Sequence, residues 1–134
     1  MKNVLLLLFA AGMLSASLAS GCGVCVEDKM AATYDHEVFT RAMNRGHQVV
    51  FTDLSGPALR RTEWHLFAWT VQSVRGVMKG SVRTSKSPMA LSFEIDPKVT
   101  AAPAAIAQIN RRMGKQPIRV SLIRTVSQQE IAAR

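Results

Sequence analysis

An α+β fold is predicted for this chain, a ferredoxin-like split βαβ with four antiparallel strands and two helices on one face, and three observations predict it. The apolar pattern between residues 46 and 126 switches between a two-residue and a 3.6-residue repeat in the order strand, helix, strand, strand, helix, strand. Turn-forming residues stand near these switches, at Leu54-Ser55-Gly56-Pro57, Gly76, Ser85-Lys86-Ser87-Pro88 and Gly114. In Met89-Ala90-Leu91-Ser92-Phe93-Glu94-Ile95-Asp96, large apolar residues alternate strictly with small or charged ones, the pattern of a strand with one buried face.

Each element has its own local reason. Val26 to Arg45 is predicted as one helix, with Glu27 and Asp28 in its first turn. Ala31, Tyr34, Val38 and Ala42 form a stripe along one side, and Gly46 stops it. His47 to Asp53 is a strand through Val49, Val50 and Phe51. Leu59 to Arg75 is a helix whose stripe is Trp64, Phe67, Ala68, Val71 and Val74, with one of the two tryptophans, Trp64 and Trp69, in the core and the other flanking it. Val77 to Thr84 is a weaker strand, and Met89 to Asp96 the clearest one. A second domain helix starts at Thr100 as N-cap, carries Pro103 in its first turn, buries Ile106, Ile109 and Met113, and ends at Gly114. Pro117 to Val126 alternates Ile118, Val120 and Leu122 against Arg119 and Ser121. The remaining residues, 127–134, are a frayed tail or a short helical turn.

Ahead of this domain stands an address. Lys2, the Leu-rich run from Val4 to Met13 and the small residues from Ser15 to Ser20 read as a secretory signal over residues 1–20, with cleavage after Ala19. The expected location is periplasmic or secreted. A second reading takes Ala19-Ser20-Gly21-Cys22 as a lipobox and makes Cys22 a lipidated anchor. About 115 residues then remain, enough for one domain with a real core.

Residues 21–45 carry the chemistry. Cys22 and Cys25, the only cysteines, form a C-x-x-C in front of the first predicted helix. Two thiols at this spacing can share one ion or bond to each other, and a helix start favours a thiolate. Copper(I) is the foremost candidate, because two thiolates suffice for near-linear copper(I) or mercury(II), whereas zinc normally takes four ligands. Two alternatives stay open. One is thiol–disulfide or regulatory-disulfide chemistry, which an oxidising compartment favours; the other is a non-catalytic interaction module with an incidental pair. A purely structural role is poorly served by closing so short a loop. His36 stands roughly 15 Å up a continuous helix, too far to share an ion with Cys25. His47 and Met30 read as a part-exposed surface histidine and a packing methionine before they read as ligands.

No catalytic constellation is found, and no enzyme is expected. Asp35-His36-Glu37 point in different directions on a helix and read as a solvated face. The formal net charge is +8, and the excess lies beyond Arg60, where Glu63, Glu94, Asp96 and Glu130 are the only acidic residues. Nucleic acid is excluded as a partner by the export signal and by the lack of aromatics interleaved with the basic residues. An acidic partner protein or an anionic membrane surface is the partner class this charge suits, with Arg60-Arg61 and Arg111-Arg112 as the candidate contacts.

From His47 to Val126 the chain resembles the heavy-metal-associated domain family. The resemblance rests on the first strand, the helix ending in Gly76-Val77, and Leu91-Ser92-Phe93-Glu94-Ile95-Asp96-Pro97 followed by Thr100 and Ile106. It implies a ferredoxin-like fold and a soft-metal function. That family holds its metal with a C-x-x-C in the first loop, where this chain has Asp53-Leu54-Ser55-Gly56-Pro57-Ala58-Leu59 and no cysteine. Any thiol site must therefore be the upstream pair.

Overall fold

The computed structural model describes residues 25–134. The signal expected over residues 1–20, and Cys22, lie outside the described residues. Among the described residues, the elements run α1 (Val26–Thr33), α2 (His36–Arg45), β1 (Gln48–Ser55), a 3-10 turn (Pro57–Arg61), α3 (Trp64–Gln72), β2 (Arg83–Lys86), β3 (Met89–Ile95), α4 (Ala102–Met113), β4 (Arg119–Ser127) and α5 (Gln128–Ala132). The four strands form one sheet in the order β2-β3-β1-β4, and every pairing is antiparallel. This is an α+β architecture compatible with a ferredoxin-like fold.

The main core lies between the sheet and the layer made by α3, α4 and the 3-10 turn. Val50, Leu54, Leu91, Phe93, Ile95 and Val120 meet Leu59, Phe67, Val71, Ile106, Ile109 and Met113 there, and all are buried. The expected inward set of β3 is therefore correct: Leu91, Phe93 and Ile95 are fully buried and Met89 packs at the margin.

Its other face is not solvated, and this corrects the expectation of a strand with one buried face. Ala90, Ser92 and Glu94 are buried as well, because α1 and α2 lie across the opposite side of the sheet. A second, smaller cluster forms there from Ala42, Val49 and Phe51, with Met30, Phe39, Met43, Ile123 and Val126 at its edge. The chain is thus three layers, with the sheet in the middle.

The predicted single helix from Val26 to Arg45 is two. Tyr34 and Asp35 are extended, and Asp35 caps α2 by accepting from the Val38 N–H at 3.0 Å. Aspartate competes for backbone N–H groups and is favoured at a cap over a helix interior, which is the local reason for the break. Ser92 of β3 donates to the Thr33 carbonyl at 2.7 Å and seats the end of α1 on the sheet. Val38 and Ala42 are buried as expected, but Ala31 and Tyr34 are exposed.

The other departures have equally local causes. The predicted helix from Leu59 divides into the 3-10 turn and α3, separated by extended Thr62 and Glu63. In place of a strand over Val77 to Thr84 there is one bridge, Val77 to Ile95, before β2. The Ser81 hydroxyl accepts from the Glu94 N–H at 3.0 Å and donates to the Met78 carbonyl, replacing ladder bonds at that point. Thr100 does not cap α4: its hydroxyl donates to the Arg75 carbonyl at 2.8 Å, and Ala101 holds the N-cap position. Register shifts between Phe51 and Thr52 on β1, where β4 bulges. Leu122 is left 45% exposed and Ile123 packs against the smaller cluster. The tail forms α5, capped by the Ser127 hydroxyl, which accepts from the Glu130 N–H.

Candidate functional site

Cys25 is exposed and stands at the N-cap of α1, with an extended backbone and no side-chain cap bond. Its partner in the motif, Cys22, lies outside the described residues. Glu27 and Asp28 occupy the first turn beyond it. The sequence places the thiol at a helix start, and the structure does so too.

What positions that thiol is the way α1 and α2 are fastened to the sheet. Their apolar contact is small, so polar contacts carry much of the docking. Lys29 of α1 pairs with Asp53 of β1. Between the helices, Asp35 accepts from Arg83 Nε of β2 at 2.8 Å. At the far end, Arg41 and Arg45 of α2 and His47 converge on Glu94 of β3. Arg41 Nε is 3.2 Å from Oε2, Arg45 Nη1 4.0 Å from Oε1, and His47 Nδ1 2.7 Å from Oε1. His47 Nε2 also approaches Asp96 at 3.8 Å. The Glu94 side chain has no exposed surface, so this is a buried carboxylate held by cations on its helix-facing side.

This arrangement corrects two readings. His47 is 13% exposed and committed to Glu94 and Asp96, so it is neither a part-exposed surface histidine nor a free ligand. Asp35 is not part of a solvated face but a cap and an ion-pair member. Its carboxyl is held below the usual carboxylate range, chiefly by the Val38 N–H and next by Arg83. A depressed folded-state pKa contributes stability that is fully present above the unfolded value of about 3.9 and is lost as pH falls through the folded one. Asp35→Ala is expected to cost about 1 kcal/mol at neutral pH. Denaturation of both proteins across pH should show the gap closing below about pH 4, and a gap that persists at pH 2 would show the cost lies elsewhere.

Among the described residues, no group of three or more His, Cys, Asp and Glu side chains is set to hold a metal ion. Met30 packs at the edge of the smaller cluster, as expected of a packing methionine. The loop from Asp53 to Leu59 is structural: Asp53 pairs with Lys29, Leu54 is buried, and Gly56 presses on Pro117. The donor set in the described residues therefore offers one thiol and no third or fourth ligand beside it.

Sequence reasoning missed Glu94. Alternation put it on the solvent side of its strand, and the hint available was the basic run of Arg41, Arg45 and His47.

Comparison with known proteins finds no family model, no curated protein and no solved structure that matches this chain. Its function is therefore argued from its own residues. Among the described residues, no helix is long and apolar enough to cross a membrane.

Proposed function

We propose that this is an exported ferredoxin-like protein that binds a soft, thiophilic ion between Cys22 and Cys25, copper(I) first and mercury(II) second, as a carrier or sensor. The observation that carries the reading is the exposed Cys25 thiol at the start of a helix that Lys29 fastens to Asp53 of the sheet. An exposed pair of thiols can receive an ion from one partner and hand it to another by exchange of one ligand at a time. A buried, fully ligated cage could not do so without opening. The α1–α2 layer supports the site by holding its trailing end in place.

The pair decides the function in solution. The reduced full-length protein is expected to take up one copper(I) or mercury(II) per chain, and Cys22→Ser and Cys25→Ser each to abolish tight uptake, because one thiolate cannot supply a two-coordinate site. Mass spectrometry of the reduced protein with each ion reads this directly. Absence of uptake together with ready dithiol exchange would replace this reading with thiol–disulfide chemistry. Tolerance of both serines with neither activity would make the pair incidental.

A further inference from the structure

The outer face of the α3–α4 layer carries a second feature that the thiol pair does not use. Helix α3 buries Phe67 and Val71, and the residues between them on the opposite side are turned outward. Trp69 is 68% exposed and Leu66 53% exposed, on one ridge of the helix. A tryptophan this exposed is costly to leave in water and is the side chain best suited to a boundary between water and an apolar phase. Trp64, by contrast, packs against the core and meets Phe67 edge-on with ring centroids 5.9 Å apart.

Basic residues stand on the elements that flank α3. Arg60 and Arg61 come from the 3-10 turn that leads into α3, and Arg111 and Arg112 from the last turn of α4. All four are exposed. Among the described residues, none of them pairs with a carboxylate, although the other ion pairs of the fold are made. Arg61 and Arg112 face one another across a cleft of about 420 Å³ between α3 and α4, with Leu66 on its wall. The one acid lining that cleft is Glu63, itself exposed and 3.7 Å from His65. On α4 the buried residues are Ala102, Ala105, Ile106, Ile109 and Met113, which leaves Arg111 on the outward side.

We propose that this face docks on an anionic lipid surface, with Trp69 and Leu66 entering the interface and the four arginines meeting the headgroups. Charge selects an anionic surface, and shape selects lipid over protein. Trp69 projects from the side of α3 opposite its buried residues, which a fluid interface accommodates, whereas a folded partner would need a matching pocket. Buried apolar area and attraction of basic residues to anionic headgroups add in surface binding of this kind. The sheet's other face, where α1 begins at Cys25, is turned away from such a surface. The inference rests on the α3–α4 face alone and is independent of the thiol reading.

The test uses the full-length protein with vesicles of phosphatidylcholine, with and without phosphatidylglycerol. The readout is the difference between the two, because the apolar amino-terminal run can bind either. Preferential binding to the anionic vesicles is expected, falling by at least tenfold between about 0.1 M and 1 M salt as the Debye length shrinks from about 10 Å to 3 Å. Arg60→Gln with Arg61→Gln, and Arg111→Gln with Arg112→Gln, should each weaken the anionic preference about thirtyfold. Trp69→Ala should weaken it tenfold or more and abolish the blue shift of tryptophan emission on binding. Because these side chains are exposed, thermal unfolding of each variant should match the wild type, and that control separates lost docking from lost fold.

Equal affinity for both vesicle types would overturn the proposal, as would an anionic preference that the variants leave intact. Binding of polyglutamate without binding of anionic vesicles would assign the face to an acidic protein instead.

Discussion

Glu94→Ala is expected to destabilise the protein by about 3–5 kcal/mol, because it removes the buried carboxylate on which Arg41, Arg45 and His47 converge. Glu94 sits on β3 opposite Val49 of β1, fully buried beneath α2. Removing it leaves His47, 13% exposed, beside a void, and Arg41 without the oxygen its Nε now reaches. Arg41 already has one buried nitrogen, Nη2, without a hydrogen-bond partner, so it has no spare contact to fall back on. Its side chain is 38% exposed and can turn partly to water, which places the loss toward the lower end of the range.

Glu94→Gln keeps the shape and loses the charge, so it should fall between the variant and the wild type. Denaturant midpoints at constant slope read the effect. Hydrogen exchange locates it: protection should fall first in α1 and α2, since these helices depend on polar contacts, while α3 and α4 keep theirs. A loss below about 1 kcal/mol would show that the cluster merely breaks even against its desolvation.

The contrast between the two faces of β3 explains what could be read in advance. Leu91, Phe93 and Ile95 alternate with small or charged residues, and that pattern correctly identified the strand and its inward set. Helix α4 was equally legible, since Pro103, the Ile106–Ile109–Met113 stripe and Gly114 agree with one another. Polar alternation says only that a face is not purely apolar. It does not distinguish water from a layer of charged helix, and here Ser92 and Glu94 are polar because they hold α1 and α2 by hydrogen bonds and ion pairs. The break at Asp35 was hidden for a related reason, because the apolar spacing continues across it while a side-chain cap overrides that spacing.

The candidate site was legible to a similar depth. The Cys22–Cys25 spacing and the helix that follows are plain in the sequence. Which side chains would be free to join the thiols is not, because that depends on long-range partners. His47 illustrates this: it lies next to no acid in the chain, yet it meets Glu94, 47 residues later, through strand pairing. Arg60-Arg61 and Arg111-Arg112 were visible as charge. Their place in the same layer as Trp69 was not, since it required the 3-10 turn that replaces the first part of the predicted helix.

Gly56→Ala is the other substitution expected to have a large effect, and it connects the fold to the basic face. Gly56 adopts φ 118° and ψ 152°, a region that residues with a Cβ rarely enter. A Cβ there would lie 1.8 Å from the Pro117 carbonyl oxygen and 2.8 Å from its carbon, so backbone would meet backbone. Neither side can yield by rotating a side chain. Conformational strain of about 1–3 kcal/mol adds to an overpacking cost of similar size, giving an expected loss of about 2–6 kcal/mol.

Gly80 supplies the control: it also has positive φ, 74°, but nothing lies within 4 Å of its Cβ position, so Gly80→Ala should cost only about 1–2 kcal/mol. The difference between the two variants isolates the contact with Pro117. That contact sets where the 3-10 turn leaves the sheet and so where Arg60 and Arg61 stand. In a Gly56→Ala protein that still folds at low temperature, the preference for anionic vesicles should therefore weaken, whereas Gly80→Ala should leave it unchanged. If the two alanines cost the same, the close approach of Gly56 to Pro117 is not what holds this end of the fold together.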